Sequence, residues 1–108
     1  MKSRVLEIQD KTYSLLTRAE KAILSAMDAL KEAMAAGATD EELKEARSLH
    51  RKAQIRWDFV SAENSMGFHS PQEAARMLGD SIDYARQAEI AAYKILTQRK
   101  EAKSNLQP

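Results

Sequence analysis

Apolar residues recur every three, four or seven positions along three long segments of the chain, which is the spacing of one helix face. The first segment runs from about Arg4 to Ala36, and Gly37 follows it as the expected left-handed residue after a helix end. Thr39, with Glu42 three positions later, has the pattern of a capping box that begins a second helix. The predicted apolar stripe of the first helix comprises Val5, Ile8, Leu15, Leu16, Ala19, Ile23, Met27, Leu30 and Met34.

The second segment, about Asp40 to Glu63, has apolar residues on two edges. A second edge beside its main stripe indicates that this helix contacts protein on two sides. The main stripe is Leu43, Ala46, Leu49, Ala53, Trp57 and Val60, and the second edge is Ile55, Phe59 and Ala62.

The third segment begins at Ser70 and Pro71, which suit the N-cap and the first position of a helix. Its stripe continues from Ala74 to Leu96, and we expect the helix to fray near Lys103. Gly79 interrupts the pattern, because glycine inside a helix is less favourable than alanine by about 1 kcal/mol. We therefore expect another backbone or a flat ligand to approach it closely.

These elements predict an all-α fold with three antiparallel helices in a long-short-long order, joined by short connectors. Residues 1–108 are expected to form a single helical domain. A slim bundle of three helices leaves much apolar surface uncovered, so we expect a second copy or other protein to cover it.

Composition excludes several classes of function. The chain has 17 Lys and Arg against 16 Asp and Glu, a formal net charge of +1, without the strong basic character of a nucleic-acid-binding protein. It has no cysteine, which excludes disulfides, thiolate metal sites and covalent haem attachment within this sequence. No apolar run is long enough for a membrane span, and the charged N-terminus does not predict a signal peptide.

Histidine spacing excludes a di-iron bundle site, which requires Glu-x-x-His pairs on facing helices. Neither His50 nor His69 has a glutamate three positions before it. Arg47, His50 and Arg51 share one helix face, which fits either an anion contact or a solvated surface. Trp57 fits a core position or a stacking contact with a cofactor or partner.

His69 lies directly before the predicted start of the third helix. The positive end of the helix dipole disfavours a second positive charge there, and a neutral imidazole is the form that ligates metals. From the residues alone, His69 fits either a metal ligand or an ordinary connector side chain.

Residues 50–78, HRKAQIRWDFVSAENSMGFHSPQEAARML, resemble the C-terminal part of ammonia-forming cytochrome c nitrite reductases, the multihaem cytochrome c552 family. The family has a similar A-Q-x-R-W-D stretch, found here at residues 53–58. It then has a short connector with a histidine before a proline, often G-F-H-N-P, which reads GFHSP here at residues 67–71.

The resemblance implies a role in the six-electron reduction of nitrite to ammonium by a periplasmic enzyme that contains haem c. In the family the connector histidine is an axial ligand of an electron-transfer haem, which assigns that role to His69. The family's long C-terminal helices form a homodimer, so the resemblance also implies a dimer. As our own interpretation, we expect Arg51, Arg56 and Trp57 to contact a haem edge or propionate.

The sequence departs from the family because it lacks the C-x-x-C-H segments and the C-x-x-C-K of the catalytic haem. The family's catalytic residues have no counterpart here, so we assign no catalytic residue and expect no enzyme activity from this chain alone. We expect it to be a C-terminal piece of a larger multihaem oxidoreductase. The alternatives are a stand-alone helical dimerisation module without a cofactor, or a helical dimer that binds free haem through His69.

Overall fold

The computed structural model describes residues 2–65 and 70–106 and is entirely helical in that part, without a strand. The three helices confirm the predicted all-α architecture. Helix α2 is shorter than α1 and α3, which confirms the predicted long-short-long order. The helices are α1, Lys2–Ala35, α2, Lys44–Ser65, and α3, Pro71–Leu106.

The connector between α1 and α2 is held by local hydrogen bonds that the sequence predicted. Gly37 has a φ of 100°, and the amide of Ala38 donates to the carbonyl of Ala33 at 3.0 Å, closing the end of α1. Thr39 and Glu42 form the capping box, in which the Thr39 amide donates to Glu42 Oε1 at 3.0 Å and the Glu42 amide donates to Thr39 Oγ1 at 3.2 Å. Residues 40–43 form turns, so α2 begins at Lys44 rather than near Asp40.

The core is a seam of small side chains between α1 and α3, which share the largest contact of the three helix pairs. Leu16, Ile23 and Leu30 recur every seven residues on α1 and are buried. Alanine fills most of the remaining seam, and its small volume lets the helix backbones approach closely. The fully buried alanines of α1 and α3 are Ala19, Ala22, Ala26, Ala29, Ala33, Ala85, Ala88 and Ala92.

Two sequence-based expectations are wrong. Met34 was placed in the α1 stripe but is 51% exposed, because the buried line passes through Leu30 and Ala33 and Met34 lies one position further around the helix. Gly79 was expected to meet another backbone or a flat ligand, but it is exposed on α3 and a Cβ built there would have no protein atom of the described residues within 4 Å, so no backbone approaches it. The approach of a flat ligand stays a prediction.

Several large apolar side chains remain exposed on the bundle surface. Ile55 and Phe59, the second edge of α2, are 58% and 50% exposed. On α3, Ile90 and Tyr93 are 56% and 43% exposed. The bundle is slender, with extents of 70 × 21 × 17 Å, so each helix keeps one face outside the core. Within the described residues, none of the helices is long and apolar enough to cross a membrane.

Candidate functional site

Helix α2 carries the three side chains predicted to contact haem, and the connector that follows it carries His69. Residues 66–69 lie outside the described residues, so the predicted axial ligand has no described position. The elements on either side are defined: α2 ends at Ser65 and α3 begins at Pro71. The amide of Ala74 donates to the carbonyl of Ser70 at 2.8 Å, which closes the first turn of α3 as the sequence predicted.

Trp57 is part-buried between α1 and α2. Its indole Nε1 donates to the carbonyl of Leu16 at 2.8 Å, and its ring packs against two apolar clusters that contain Val60 and Ala53. The indole therefore has an intramolecular partner for its polar atom and for much of its apolar surface.

Arg56 is also engaged within the bundle. Its guanidinium lies 4.6 Å from the ring centroid of Tyr84 on α3, and the Lys52 ammonium lies 5.6 Å from the same ring. Arg56 also donates to the carbonyl of Lys52 at 3.0 Å. Two cations over one electron-rich ring fasten the middle of α2 to α3.

Arg47, His50 and Arg51, predicted to share one helix face, have three different environments in the structure. Arg47 donates to Asp40 Oδ1 at 2.8 Å and contacts the sulfur of Met34 at 3.5 Å. The Nε2 of His50 is buried and has no hydrogen-bond partner, whereas Arg51 is exposed. The three side chains therefore do not form one anion site.

His50 is half-buried on the packed side of α2, a position that sequence reasoning did not assign to it. It lies between Ala46 and Ala53 on α2, which belong to two separate apolar clusters. Ala26 on α1 and Ala88 on α3 are also fully buried. The spacing 43, 46, 50, 53, 57 and 60 could have revealed this position, because it is the three-four alternation of a packed helix seam.

The Nε2 atom of His50 is buried, so it offers no open position to a ligand from outside the bundle. Within residues 2–65 and 70–106, no three histidine, aspartate or glutamate side chains group into a metal site.

Glu42 joins the α1–α2 connector to the far end of α3. Its carboxylate completes the capping box with Thr39 and also accepts a hydrogen bond from the Arg99 guanidinium. The Arg99 bond, followed by the Thr39 amide, lowers the pKa of Glu42 to about 2, and the same pairing raises the pKa of Arg99. Thr39 and Glu42 were predicted as a local cap. The contact of Glu42 with Arg99 instead joins residues that are 57 positions apart in the sequence.

A groove of about 310 Å³ runs between α2 and α3. Leu49, Ile90 and Ile95 contribute apolar surface, while Glu45 and Lys94 contribute opposite charges. The exposed side chains of Ile90 and Tyr93 continue this surface along α3. The groove thus combines apolar contact area with charges of both signs.

Comparison of the amino-acid sequence with known proteins shows the family of the chain. The family model described as cytochrome c552 matches residues 1–108. The chain is similar to a cytochrome c-552 of Bacteroides fragilis, with 40% identity over 98 residues that cover 91% of the chain and 20% of that protein. It is 38% identical to a cytochrome c-552 of Parabacteroides distasonis over 89% of the chain and 19% of that protein.

A third relative, the cytochrome c nitrite reductase subunit NrfA of Nitratidesulfovibrio vulgaris, is 38% identical over 93 residues, covering 82% of the chain and 18% of that protein. The chain therefore spans about a fifth of the length of these relatives.

Proposed function

Because the chain belongs to the cytochrome c552 family, we propose that it is the helical domain of an ammonia-forming cytochrome c nitrite reductase, an oxidoreductase that reduces nitrite with electrons carried by haem c. The observation that carries the proposal is the family match over the whole chain together with the similarity to a nitrite reductase subunit. The haems and the catalytic residues belong to the rest of the longer protein, since this sequence has no cysteine to attach a haem. We place that protein in the periplasm.

In this proposal His69 is the axial ligand of one electron-transfer haem. The support is the resemblance of residues 67–71 to the family's connector and the position of the histidine directly before the α3 start. A neutral imidazole there would supply a nitrogen lone pair to the iron.

The bundle also supplies a dimer surface in this proposal. The α2–α3 groove and the exposed Ile90 and Tyr93 offer apolar area that a second copy can bury. Glu45 and Lys94 on opposite sides of the groove allow a two-fold-related copy to pair opposite charges. Arg51, which is exposed, is proposed to contact haem. The haem contacts of Arg56 and Trp57 stay predictions, and both side chains already have partners inside the bundle.

The first test is the reading frame upstream of the Met1 codon in the source genome. We expect it to continue through several C-x-x-C-H segments and one C-x-x-C-K, which would place this chain in a multihaem protein. A stop codon and a ribosome-binding site directly before Met1 would overturn the proposal and favour the stand-alone dimerisation module.

The second test is His69→Ala in that longer protein. We expect one low-spin haem to change its optical and electron paramagnetic resonance spectra while all covalent haem is retained, because the axial bond is lost and the thioether bonds are not. His50→Leu is the matched control, since it replaces the other histidine and should leave every haem spectrum as it was. Unchanged spectra in His69→Ala would contradict the ligand assignment.

A further inference from the structure

The end of α1 brings a sulfur atom into contact with a guanidinium. Met34 lies in the last turn of α1 and is 51% exposed. Nη2 of Arg47, in the first turn of α2, donates to the sulfur at 3.5 Å, and Nη1 of the same side chain donates to Oδ1 of Asp40 at 2.8 Å. Asp40 belongs to the connector, so one guanidinium joins the end of α1, the connector and the start of α2.

The two hydrogen bonds of Arg47 are unequal. A thioether sulfur is a weak acceptor, whereas a carboxylate oxygen is a strong one. A charged donor forms its shorter and stronger bonds with oxygen acceptors. The bond to Asp40 orients the guanidinium, whose other terminal nitrogen is directed at the sulfur. An oxygen atom added to the Met34 sulfur would therefore meet a charged donor that is already held in position.

Met34 is also the accessible methionine of the described residues. Met27 and Met77 are half-buried, and Met77 packs against an apolar cluster of the core. Met1 and Met66 lie outside the described residues. Oxidation of methionine usually disrupts packing, because it converts an apolar side chain into a polar one. At Met34 the side chain borders water and a guanidinium, so a polar product is compatible with its surroundings.

We propose that Met34 is a site of oxidation by hydroperoxides, at which the Arg47 guanidinium holds the sulfoxide oxygen. The sulfur lone pair attacks one oxygen of the peroxide, so that an S–O bond forms and the O–O bond breaks. The hydrogen on the transferred oxygen passes to the leaving oxygen, which departs as water when the oxidant is hydrogen peroxide. The sulfur loses two electrons and the peroxide gains them.

Oxidation at this position strengthens the junction of α1 and α2. Methionine has a flexible, unbranched side chain, so the new oxygen can turn towards Arg47 and replace a weak sulfur contact with a bond from a charged donor to oxygen. This inference is independent of the proposed function, because it depends only on contacts among α1, the connector and α2.

The test treats the purified chain with graded doses of hydrogen peroxide. Peptide mass spectrometry locates the added oxygen on each methionine, and circular dichroism measures the melting temperature, Tm, before and after oxidation. Met34→Leu receives the same doses, so that the effects of the other methionines can be subtracted. We expect Met34 to gain oxygen at lower doses than Met27 and Met77, because its side chain is more exposed.

The change in Tm on oxidation should be more positive in wild type than in Met34→Leu by about 2–4 °C, the effect of one additional hydrogen bond at the surface. Arg47→Leu should lose this gain while Met34 is still oxidised, because the donor is absent. Arg86→Leu is the matched control. It removes a similar exposed guanidinium, which pairs with Glu89 at 3.0 Å on α3, and it should keep the gain.

Three results would each overturn the inference. They are the absence of added oxygen on Met34 at doses that oxidise Met27 or Met77, a change in Tm no more positive in wild type than in Met34→Leu, and the same gain in Arg47→Leu as in wild type. None of them would alter the reading-frame test, so the failure of this site and the failure of the proposed function are distinguishable.

Discussion

His50 is half-buried on α2, between Ala46 and Ala53 of the apolar core. Its Nε2 is buried without a partner, whereas the buried hydroxyl of Ser81 donates to the carbonyl of Ala53 at 2.8 Å. A buried polar atom that has lost water and gained no hydrogen bond is destabilising by about 1–3 kcal/mol. At the scale of single residues, His50 is therefore a place where the core is less stable than it could be.

We expect His50→Leu to raise the free energy of unfolding by about 1–3 kcal/mol, because the substitution removes the unsatisfied nitrogen and keeps an apolar side chain of comparable volume. Urea denaturation followed by circular dichroism measures the change. Arg51→Leu, on the exposed side of the same turn, serves as the control and should change stability by less than about 0.5 kcal/mol. A lower stability in His50→Leu would show that the imidazole has a favourable partner, such as a bound water molecule.

At the scale of elements, the α1–α2 connector depends on one carboxylate. Glu42 both closes the capping box of Thr39 and receives the Arg99 guanidinium, so it links the start of α2 to the last turns of α3. The ordinary pKa of this side chain is 4.5, and these bonds lower it to about 2 in the folded protein. Below the ordinary value the unfolded chain binds the proton more readily than the folded one, so acid favours unfolding.

Glu42→Gln should therefore lower stability at neutral pH, and the difference from wild type should shrink as the pH falls from about 4.5 towards 2. Thermal unfolding at pH 6 and at pH 2.5 measures this dependence. Glu41→Gln is the control, because Glu41 is exposed and takes no part in the capping box or in the Arg99 pair. A constant difference between Glu42→Gln and wild type at both pH values would contradict the role of the carboxylate charge.

The whole molecule is a slender bundle with exposed apolar side chains on α3. One of them, Ile90, lines the groove between α2 and α3. A three-helix arrangement of this width buries one stripe per helix, and Ile90 and Tyr93 lie outside those stripes. A second copy that covers this surface would remove apolar area from water, at about 25 cal/mol for each Å².

Ile90→Glu should weaken self-association at least about tenfold, because it loses apolar contact and places a charge in the proposed interface. Sedimentation velocity over a range of protein concentrations measures the shift from dimer to monomer. Ala75→Glu, also exposed on α3 but outside the groove, should sediment as wild type does. If wild type and Ile90→Glu have the same sedimentation behaviour, this groove is not the dimer surface.

The helices and their caps were predictable because they depend on residues close in the sequence. Thr39 and Glu42 are three positions apart, and Gly37 adopts its positive φ to end α1 with bonds to residues within five positions. The position of the second apolar edge of α2 was also predictable, since helical periodicity alone places Ile55 and Phe59 on another side from Ala53. Its contact with other protein stays a prediction, because both side chains are exposed in this chain.

Tertiary structure alone decided which side chains the three helices bring together. Apolar periodicity does not fix how far each helix is rotated about its axis, so Met34 was assigned to the core in place of the line through Ala33. The hydrogen bond from Trp57 to Leu16 and the pairing of Glu42 with Arg99 join residues far apart in the chain. Such contacts depend on the relative position of packed helices, whereas caps and periodicity are set within a few residues of the chain itself.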